Sequence, residues 1–560
     1  MKKLNFNKKL LLIVFLAAII RLPWLDKYPP ALYSDEVSQG YNAYSVLKTA
    51  KDEYGKFLPV SFRSFGDWKP PLPTYLMVPT VAIFGLNAYG VRLPSAIFGI
   101  ATVYLSYFIS IELLNLNKSK NIKKHFKYKN MIALISALLL AISPWHISQS
   151  RSAMLVSIAL FWLCLALWSF LKGLKNPRFW YVSGISFIMA TYSYYGLRVI
   201  VPIFLIYLGF QFNKQIAANL KTIIFTVLIS IIMMLPIIVG FIKEPDIVFG
   251  RAKTVSIFYD QGVVLTVADL IRKDGQQFPP KLAQYFHNKP YSYAVDVIRR
   301  FGEHFDGRFL FLYGDAQTPF QIPNMGILYI IDGIFILLGL IYLIRYDVSI
   351  AKLVFAWLAI CIIPAALTFI TPSSNRTFNM IVPLEIIISV GIVYFVSRFI
   401  KFAKYIILAI SILYIVNFGY FLKQYIVVLP KYYADWWHGG YPELISYLAS
   451  EENMYSGIYI SGKASVPYIF YLFYRQYDPK LLQTQIHRNF KADKFGFEHV
   501  DSIGKYYFPR YYDWNTDKET FANNSLLVLT PQETANGLSV KQQIYYPDRE
   551  SAFKIYNIDK

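Results

Sequence analysis

Apolar runs of bilayer-spanning length recur from Leu10 to about Phe421, and no other feature restricts the fold as strongly. The hydrocarbon core of a bilayer is about 30 Å thick, which a helix crosses in roughly 20 apolar residues. Inside that layer every backbone N–H and C=O must find its partner within the protein, so a chain with many such runs folds as a helical bundle. Only 16% of the 560 residues are charged, against roughly 25% in soluble domains. After about Lys423 the texture changes: polar residues become frequent and no spanning run remains. The expected organisation is a multi-pass α-helical membrane domain over residues 1–424 and a C-terminal α/β domain over 425–560, an ordinary size for one domain.

Loop charge sets the expected topology. The chain has 56 Lys and Arg against 34 Asp and Glu, a formal charge of +22. The basic residues sit in short loops between apolar runs, which marks membrane orientation and argues against a nucleic-acid partner. Lys2, Lys3, Lys8 and Lys9 precede the first run, and Lys118, Lys120, Lys123, Lys124, Lys127 and Lys129 crowd the segment before Met131. Lys172, Lys175 and Arg178, then Lys214 and Lys221, Arg345 and Lys352, and Arg398, Lys401 and Lys404 mark the later turns. With these in the cytoplasm, spans fall near 8–25, 92–114, 131–149, 153–171, 179–196, 197–212, 222–242, 326–344, 352–370, 378–397 and 403–422, about eleven in all. The N-terminus is then inside and the C-terminal domain outside. Pro71–Leu86 is apolar, but as a span it would put the 118–129 lysines outside. It is also short and holds Pro71, Pro73 and Pro79, so it is expected to lie at the outer surface. Large outer regions follow at about 25–90 and 243–325.

The basic start, Met1–Lys9, leads into Leu10–Ile20 without a clear cleavage site before Arg21, so an uncleaved first helix is expected. Cys164 and Cys361 both lie in apolar runs and give neither a disulfide framework nor metal spacing. In the tail, Ser456–Ser461 and Ser525–Leu529 read as strands, and Glu443–Leu448 and Val466–Tyr474 as helices. No catalytic motif stands out there.

The chemistry concentrates in the first outer loop. Ser34-Asp35-Glu36 follows the first span closely. It reads either as solvated charge with Ser34 or Asp35 capping a helix, or as a general base that takes a proton from an acceptor hydroxyl. Asp67-Trp68-Lys69-Pro70-Pro71 holds a lysine on a restricted backbone, either snorkelling to the headgroups or set against a departing phosphate. Arg92-Leu93-Pro94-Ser95 opens the second span, as an interfacial anchor or as a second phosphate clamp. Arg21 at the end of the first span has the same two readings. Together these place two acids and several cations around one membrane surface.

In this order, R-L-P-W-L, S-D-E, K-P-P-L and V-R-L-P-S-A-I-F-G resemble the integral-membrane glycosyltransferases of the dolichyl-phosphate-mannose–protein mannosyltransferase and bacterial aminoarabinose transferase group (glycosyltransferase family 39-like), which have the GT-C fold. The resemblance covers residues 10–240 well, the later helices more loosely and the tail not at all. It implies a polyprenyl-phosphate sugar donor, attack from the outer face on a glycan, lipid or protein acceptor, and inversion at the anomeric carbon. It puts Asp35 at the catalytic acid–base position with Glu36 beside it, and Lys69 and Arg92 at the donor phosphate. The aminoarabinose transferases carry Glu directly before the Lys-Pro-Pro lysine; here that residue is Trp68, with Asp67 one step earlier, which puts any contact of that glutamate in doubt. The group generally needs no metal for transfer and the first loop has no Asp-x-Asp, so no cofactor is expected, with a divalent metal left open.

Further substrate-cavity candidates each have a bland counterpart. They are His146 and Arg151 around Ser143-Pro144-Trp145, Tyr192 and Arg198 in Y-S-Y-Y-G-L-R, and Arg376 at the head of the tenth span. Glu303-His304-Phe305-Asp306 is a weak hint of metal. The competing function is a transporter or flippase for lipid-linked glycans. Such proteins put charge and broken helices near the midplane of paired halves, whereas most charges here sit at span ends and no internal repeat is visible. Basic inner loops fit a bacterial plasma membrane best.

Overall fold

The computed structural model describes residues 2–116, 128–259, 261–277, 279–491, 493, 496–510 and 513–559, so the lysines at 118, 120, 123, 124 and 127 lie outside the described residues. The chain forms two compact units, each discontinuous in sequence: one of residues 1–21, 97–150 and 155–421, the other of residues 22–96, 151–154 and 422–560.

The first unit is helical. Helices occupy every segment expected to span: Lys2–Arg21, Ala88–Leu114 (shared with the second unit), Lys129–Ser150, Val156–Gly173, Phe179–Thr191, Leu197–Gln211, Leu220–Lys243, Asp332–Tyr346, Val348–Ala366, Ile381–Arg398 and Ala403–Leu422. Among the described residues six helices are long and apolar enough to cross a membrane, or seven if a bent pair is one span, and the chain is an integral membrane protein. Phe179–Thr191 and Leu197–Gln211 have only 13 and 15 residues. The third segment is broken, by 56°, between Lys129–Ile142 and Pro144–Ser150. Pro144 has no N–H to give to the carbonyl four residues back, that of Leu140. The guanidinium of Arg21 replaces it, donating to Leu140 O at 3.1 Å and Ala141 O at 2.8 Å. Among the described residues, 243–325, expected as a large loop, carry four α-helices, Asp246–Val255, Gly262–Asp274, Pro280–Phe286 and Lys289–Glu303, and a π-helical turn at Arg308–Leu312.

The second unit has a hairpin and a seven-stranded sheet. The hairpin joins β1 (Phe62–Ser64) to β2 (Asp67–Lys69) with Ser64 opposite Asp67. Its two-residue turn puts Phe65 at φ 57° and Gly66 at φ 85°, the positive values that a tight hairpin demands and that glycine supplies without strain. The sheet contains β3 (Gly457–Ile460), β4 (Ile486–Asn489), β5 (His499–Ile503), β6 (Tyr506–Tyr507), β7 (Ser525–Leu529), β8 (Val540–Tyr545) and β9 (Ser551–Ile558) in the order β4-β5-β6-β3-β7-β9-β8. β3 pairs in parallel with β6 and β7, and the remaining pairs are antiparallel. The two central strands, GIYI and SLLVL, are buried throughout, as near-continuous apolar strands must be.

The first loop belongs to this core. Helix Ser34–Thr49 brings Val37 and Tyr41 against Leu444, Phe470 and Phe473 of the tail. It approaches closely at Gly40, where a Cβ would stand 2.6 Å from Val91 and 2.8 Å from the Phe473 ring. A buried ion pair, Arg488 to Glu53 at 3.3 Å, and the Arg63–Glu498 pair fasten the loop to β4 and to the segment before β5. Helix Pro71–Phe84, with Pro71 at its first position, has 14 residues, about 21 Å at 1.5 Å per residue and too short for a straight span.

Candidate active site

The site in the second unit begins at the N-terminus of helix Ser34–Thr49. The cap is Tyr33, not Ser34 or Asp35 as the sequence suggests: its backbone N–H donates at 3.0 Å to Oε2 of Glu36, three residues on. Asp35 and Glu36 therefore sit in the first turn, where the unpaired N–H groups of a helix favour negative charge. Successive helical positions point about 100° apart, and the two carboxylates meet different surroundings.

Glu36 is fully buried and faces Arg92, also fully buried. Arg92 Nε and Nη2 donate to its two carboxylate oxygens, each at 2.9 Å. The carboxylate also accepts the N–H of Ala153 at 2.8 Å. The other Arg92 donors go to backbone carbonyls of the segment before the helix: Leu25 O at 2.7 Å, Pro29 O at 2.9 Å and Ala31 O. All five N–H groups of the guanidinium are thus engaged, and the Trp437 ring covers it at 5.6 Å. In this arrangement Arg92 has no donor left for a phosphate and Glu36 is closed off from solvent. The pair fixes the path of residues 25–36.

Asp35 is different. Its side chain is 44% exposed, and Lys69 Nζ lies 2.5 Å from Oδ1. Lys69 ends β2; its side chain is buried and its ammonium lies 5.2 Å from the Phe65 ring centre. Pro70 and Pro71 stop the strand there and start the next helix. A buried cation delivered to a half-exposed carboxylate fixes where that carboxylate points. Asp67, on the same strand, accepts the Trp68 N–H at 2.9 Å. His438 completes the wall: its ring stacks on Tyr33 at 4.7 Å and 20°. Burial pushes it down to about 4, with the Asp35 carboxylate opposing, so it is neutral at physiological pH. Arg151 donates to the carbonyls of Tyr28, Pro23 and Trp24 at 3.2, 2.8 and 3.0 Å, holding the start of the loop.

The other sequence candidates lie in the first unit. Arg21 is fully buried and donates to Ser150 Oγ at 3.1 Å and to His146 Nδ1 at 2.8 Å, besides the carbonyls at the helix break. Arginine only donates, so His146 Nδ1 accepts and the ring is neutral, packed on Phe378. Neither side chain is exposed to solvent, and both serve the break. Tyr192 donates to Met233 O at 2.7 Å, and Arg198 to Ile247 O at 2.7 Å. Arg376 donates to Thr368 Oγ1 and Ile370 O, both at 2.8 Å. It stands with Arg251 and Asp315 around Tyr194, a local excess of cation in which Arg251 escaped the sequence reading. The metal hint at Glu303–Asp306 dissolves: His304 Nδ1 bonds Arg300 O at 2.8 Å and Nε2 accepts Ser373 N–H at 3.2 Å. Among the described residues no group of three or more His, Cys, Asp or Glu side chains is arranged to hold a metal ion. Sequence reasoning also missed Trp437 and His438, although the aromatic, glycine-ended D-W-W-H-G-G at 435–440 was a usable signal.

Residues 68–239 match the family described as dolichyl-phosphate-mannose-protein mannosyltransferase. Two Bacillus subtilis (strain 168) proteins are similar: "Putative mannosyltransferase YkcB", 24% identical over 269 residues that make up 46% of this chain and 34% of that protein, and "Putative mannosyltransferase YycA", 23% identical over 240 residues, 42% and 31% of the two chains. The chain thus spans about a third of the length of these curated relatives. Among solved structures, ArnT from Cupriavidus metallidurans bound to undecaprenyl phosphate superposes with a TM-score of 0.52 at 10% identity, covering 99% of this chain and 97% of that one. The apo form gives 0.55 at 10% identity, covering 98% and 97%. Residues 68–239 are thus similar to that mannosyltransferase family, and the whole chain shares the fold of ArnT.

Proposed function

We propose that the protein transfers a sugar from a polyprenyl-phosphate donor to an acceptor hydroxyl at the outer membrane face, with inversion at the anomeric carbon. The observation that carries this reading is the pair of unlike carboxylates: Glu36 locked against Arg92, and its neighbour Asp35 half-exposed on a buried lysine. The first builds the site, and the second reaches solvent while paired to Lys69. The undecaprenyl phosphate held by the ArnT structure and the mannosyltransferase names of the Bacillus relatives support a lipid-phosphate sugar as donor.

In the proposed step the acceptor oxygen attacks the anomeric carbon as its proton passes to the Asp35 carboxylate. The carbon–oxygen bond to phosphate breaks, and the phosphate leaves with the electron pair. One displacement of this kind inverts the carbon. Lys69, paired with Asp35, supplies the positive charge that favours the anionic leaving group as the phosphate departs. Arg92 and Glu36 hold the backbone that aims Asp35 and touch neither substrate. No step calls on a metal. The charge pattern of the loops supports an outward-facing site and a cytoplasmic N-terminus.

The test is transfer from a panel of radiolabelled polyprenyl-phosphate sugars in membranes, wild type against Asp35→Asn. Loss of a general base costs about 10²- to 10⁴-fold. Undiminished transfer by a correctly inserted Asp35→Asn protein would sink the mechanism.

A further inference from the structure

The second unit holds a cleft of about 980 Å³ lined by the 432–441 segment, the 530–532 loop and the 546–553 turn. That is near the upper end of the roughly 300–1,000 Å³ of small-molecule sites. Its chemistry is uneven in a telling way. Tyr433 and Trp436 present flat rings 4.4 Å apart, tilted by 48°. Asp435, Asp548 and Glu550 stand close enough to raise the Tyr546 hydroxyl, after burial, to about 12. Those three carboxylates have no salt-bridge partner among the described residues, while the lining Lys463 is paired with Glu533 at 3.3 Å. Two buried side-chain atoms of lining residues, His438 Nε2 and Ser551 Oγ, have no hydrogen-bond partner. Buried polar atoms are nearly always paired, so an orphan in a cleft marks a place for a ligand atom.

We propose that this cleft binds a neutral saccharide that serves as the acceptor, which deepens the function above and rests on it. Aromatic faces take the apolar faces of sugar rings, and free carboxylates accept sugar hydroxyls. A hydroxyl both donates and accepts, which suits the neutral His438 ring and the serine; an ammonium or guanidinium only donates. Net negative lining turns away anionic polymers. Position completes the argument: His438 lines the cleft and stacks on Tyr33, the residue that caps the Asp35 helix, so one end of a chain in the cleft lies beside the proposed base.

The experiment uses the full chain in nanodiscs, with mannotetraose and chitotetraose as probes, tetragalacturonate as the anionic control and tetralysine as the peptide control, read by calorimetry. Wild type should bind at least one neutral tetrasaccharide and not the anionic one. Trp436→Ala and the Asp548→Asn/Glu550→Gln double variant should each weaken binding about tenfold or more. The double variant alters surface carboxylates only and carries the test if Trp436→Ala misfolds. In the transfer assay the same variants should raise the acceptor KM by that factor and leave the donor KM where it was. No binding of either neutral probe at about 10 mM, binding indifferent to both variants, or tetralysine displacing the saccharide would each overturn the proposal. Should the wild type transfer no sugar at all, the enzymatic reading falls, while calorimetry still decides whether the cleft is a saccharide site.

Discussion

Arg92 gives the sharpest division between what its motif suggests and what its surroundings do. Arg92→Met removes five hydrogen bonds at once. The Glu36 carboxylate is left fully buried with two backbone donors, Tyr33 and Ala153, and three carbonyls lose their partner. Breaking a buried pair from one side costs about 3–5 kcal/mol, because the remaining charge keeps its desolvation penalty. Domains of this size lose about 2–4 °C of melting midpoint per kcal/mol, so a fall of about 6–20 °C is expected. Trp437, 5.6 Å from the guanidinium, makes intrinsic fluorescence a local reporter. Replacing both partners, Glu36→Leu with Arg92→Met, should recover part of the loss, since no charge then stays stranded. A phosphate ligand would behave oppositely. If Arg92→Met melts like wild type and raises the donor KM, the structural role assigned here is refuted and the motif's phosphate role returns.

Three further outcomes are expected. Lys69→Met should lower transfer about 10²- to 10³-fold, with Lys69→Arg partly active and the melting midpoint nearly unmoved, because Asp35 is half in water. Gly40→Leu should destabilise by about 1–3 kcal/mol or more, seen by thermal melting and by protease nicking within 50–60, because Val91 and Phe473 occupy the space beside it. His438 is held near 4 in the fold by burial, against about 6.5 unfolded. The unfolded chain therefore binds the proton first, and this contribution is whole above about pH 6.5 and drains away as pH falls toward 4. Asp52, raised to about 6 by burial, works in the opposite sense over part of that window. The measurement is accordingly the difference in midpoint between wild type and His438→Asn from pH 7 to 4, which should narrow as pH drops.

Much of this architecture was legible in one dimension because the bilayer leaves few choices. Apolar length and loop charge located the apolar helices of the membrane unit but not the helices within 243–325, and the proline-rich 71–84 stretch proved as short as expected. β7 is Ser525–Leu529 as read, and the helix at 467–474 differs by one residue at its start. Short apolar runs bounded by turns leave little else for such segments to be. The bend at Pro144 was less visible, since a proline inside an apolar run says that a carbonyl is freed but not that Arg21, over a hundred residues earlier, will meet it.

Within the site the sequence named the carboxylates and cations, and the tertiary structure divided the labour among them. Asp35 and Glu36 are neighbours with the same functional group, and their pattern cannot say which is buried. That depends on what packs on each side of one helical turn: Arg92, Ala153 and Trp437 around Glu36, Lys69 and open space beside Asp35. Nor could local sequence tell that residues 22–96 and 422–560 share one core. Hydrophobic periodicity reports that a face is buried and carries no information about its partner. The membrane as solvent determined the apolar helices from the sequence alone; which side chains meet, and so which acid is buried and which is half-exposed, was decided by packing between segments far apart in the chain.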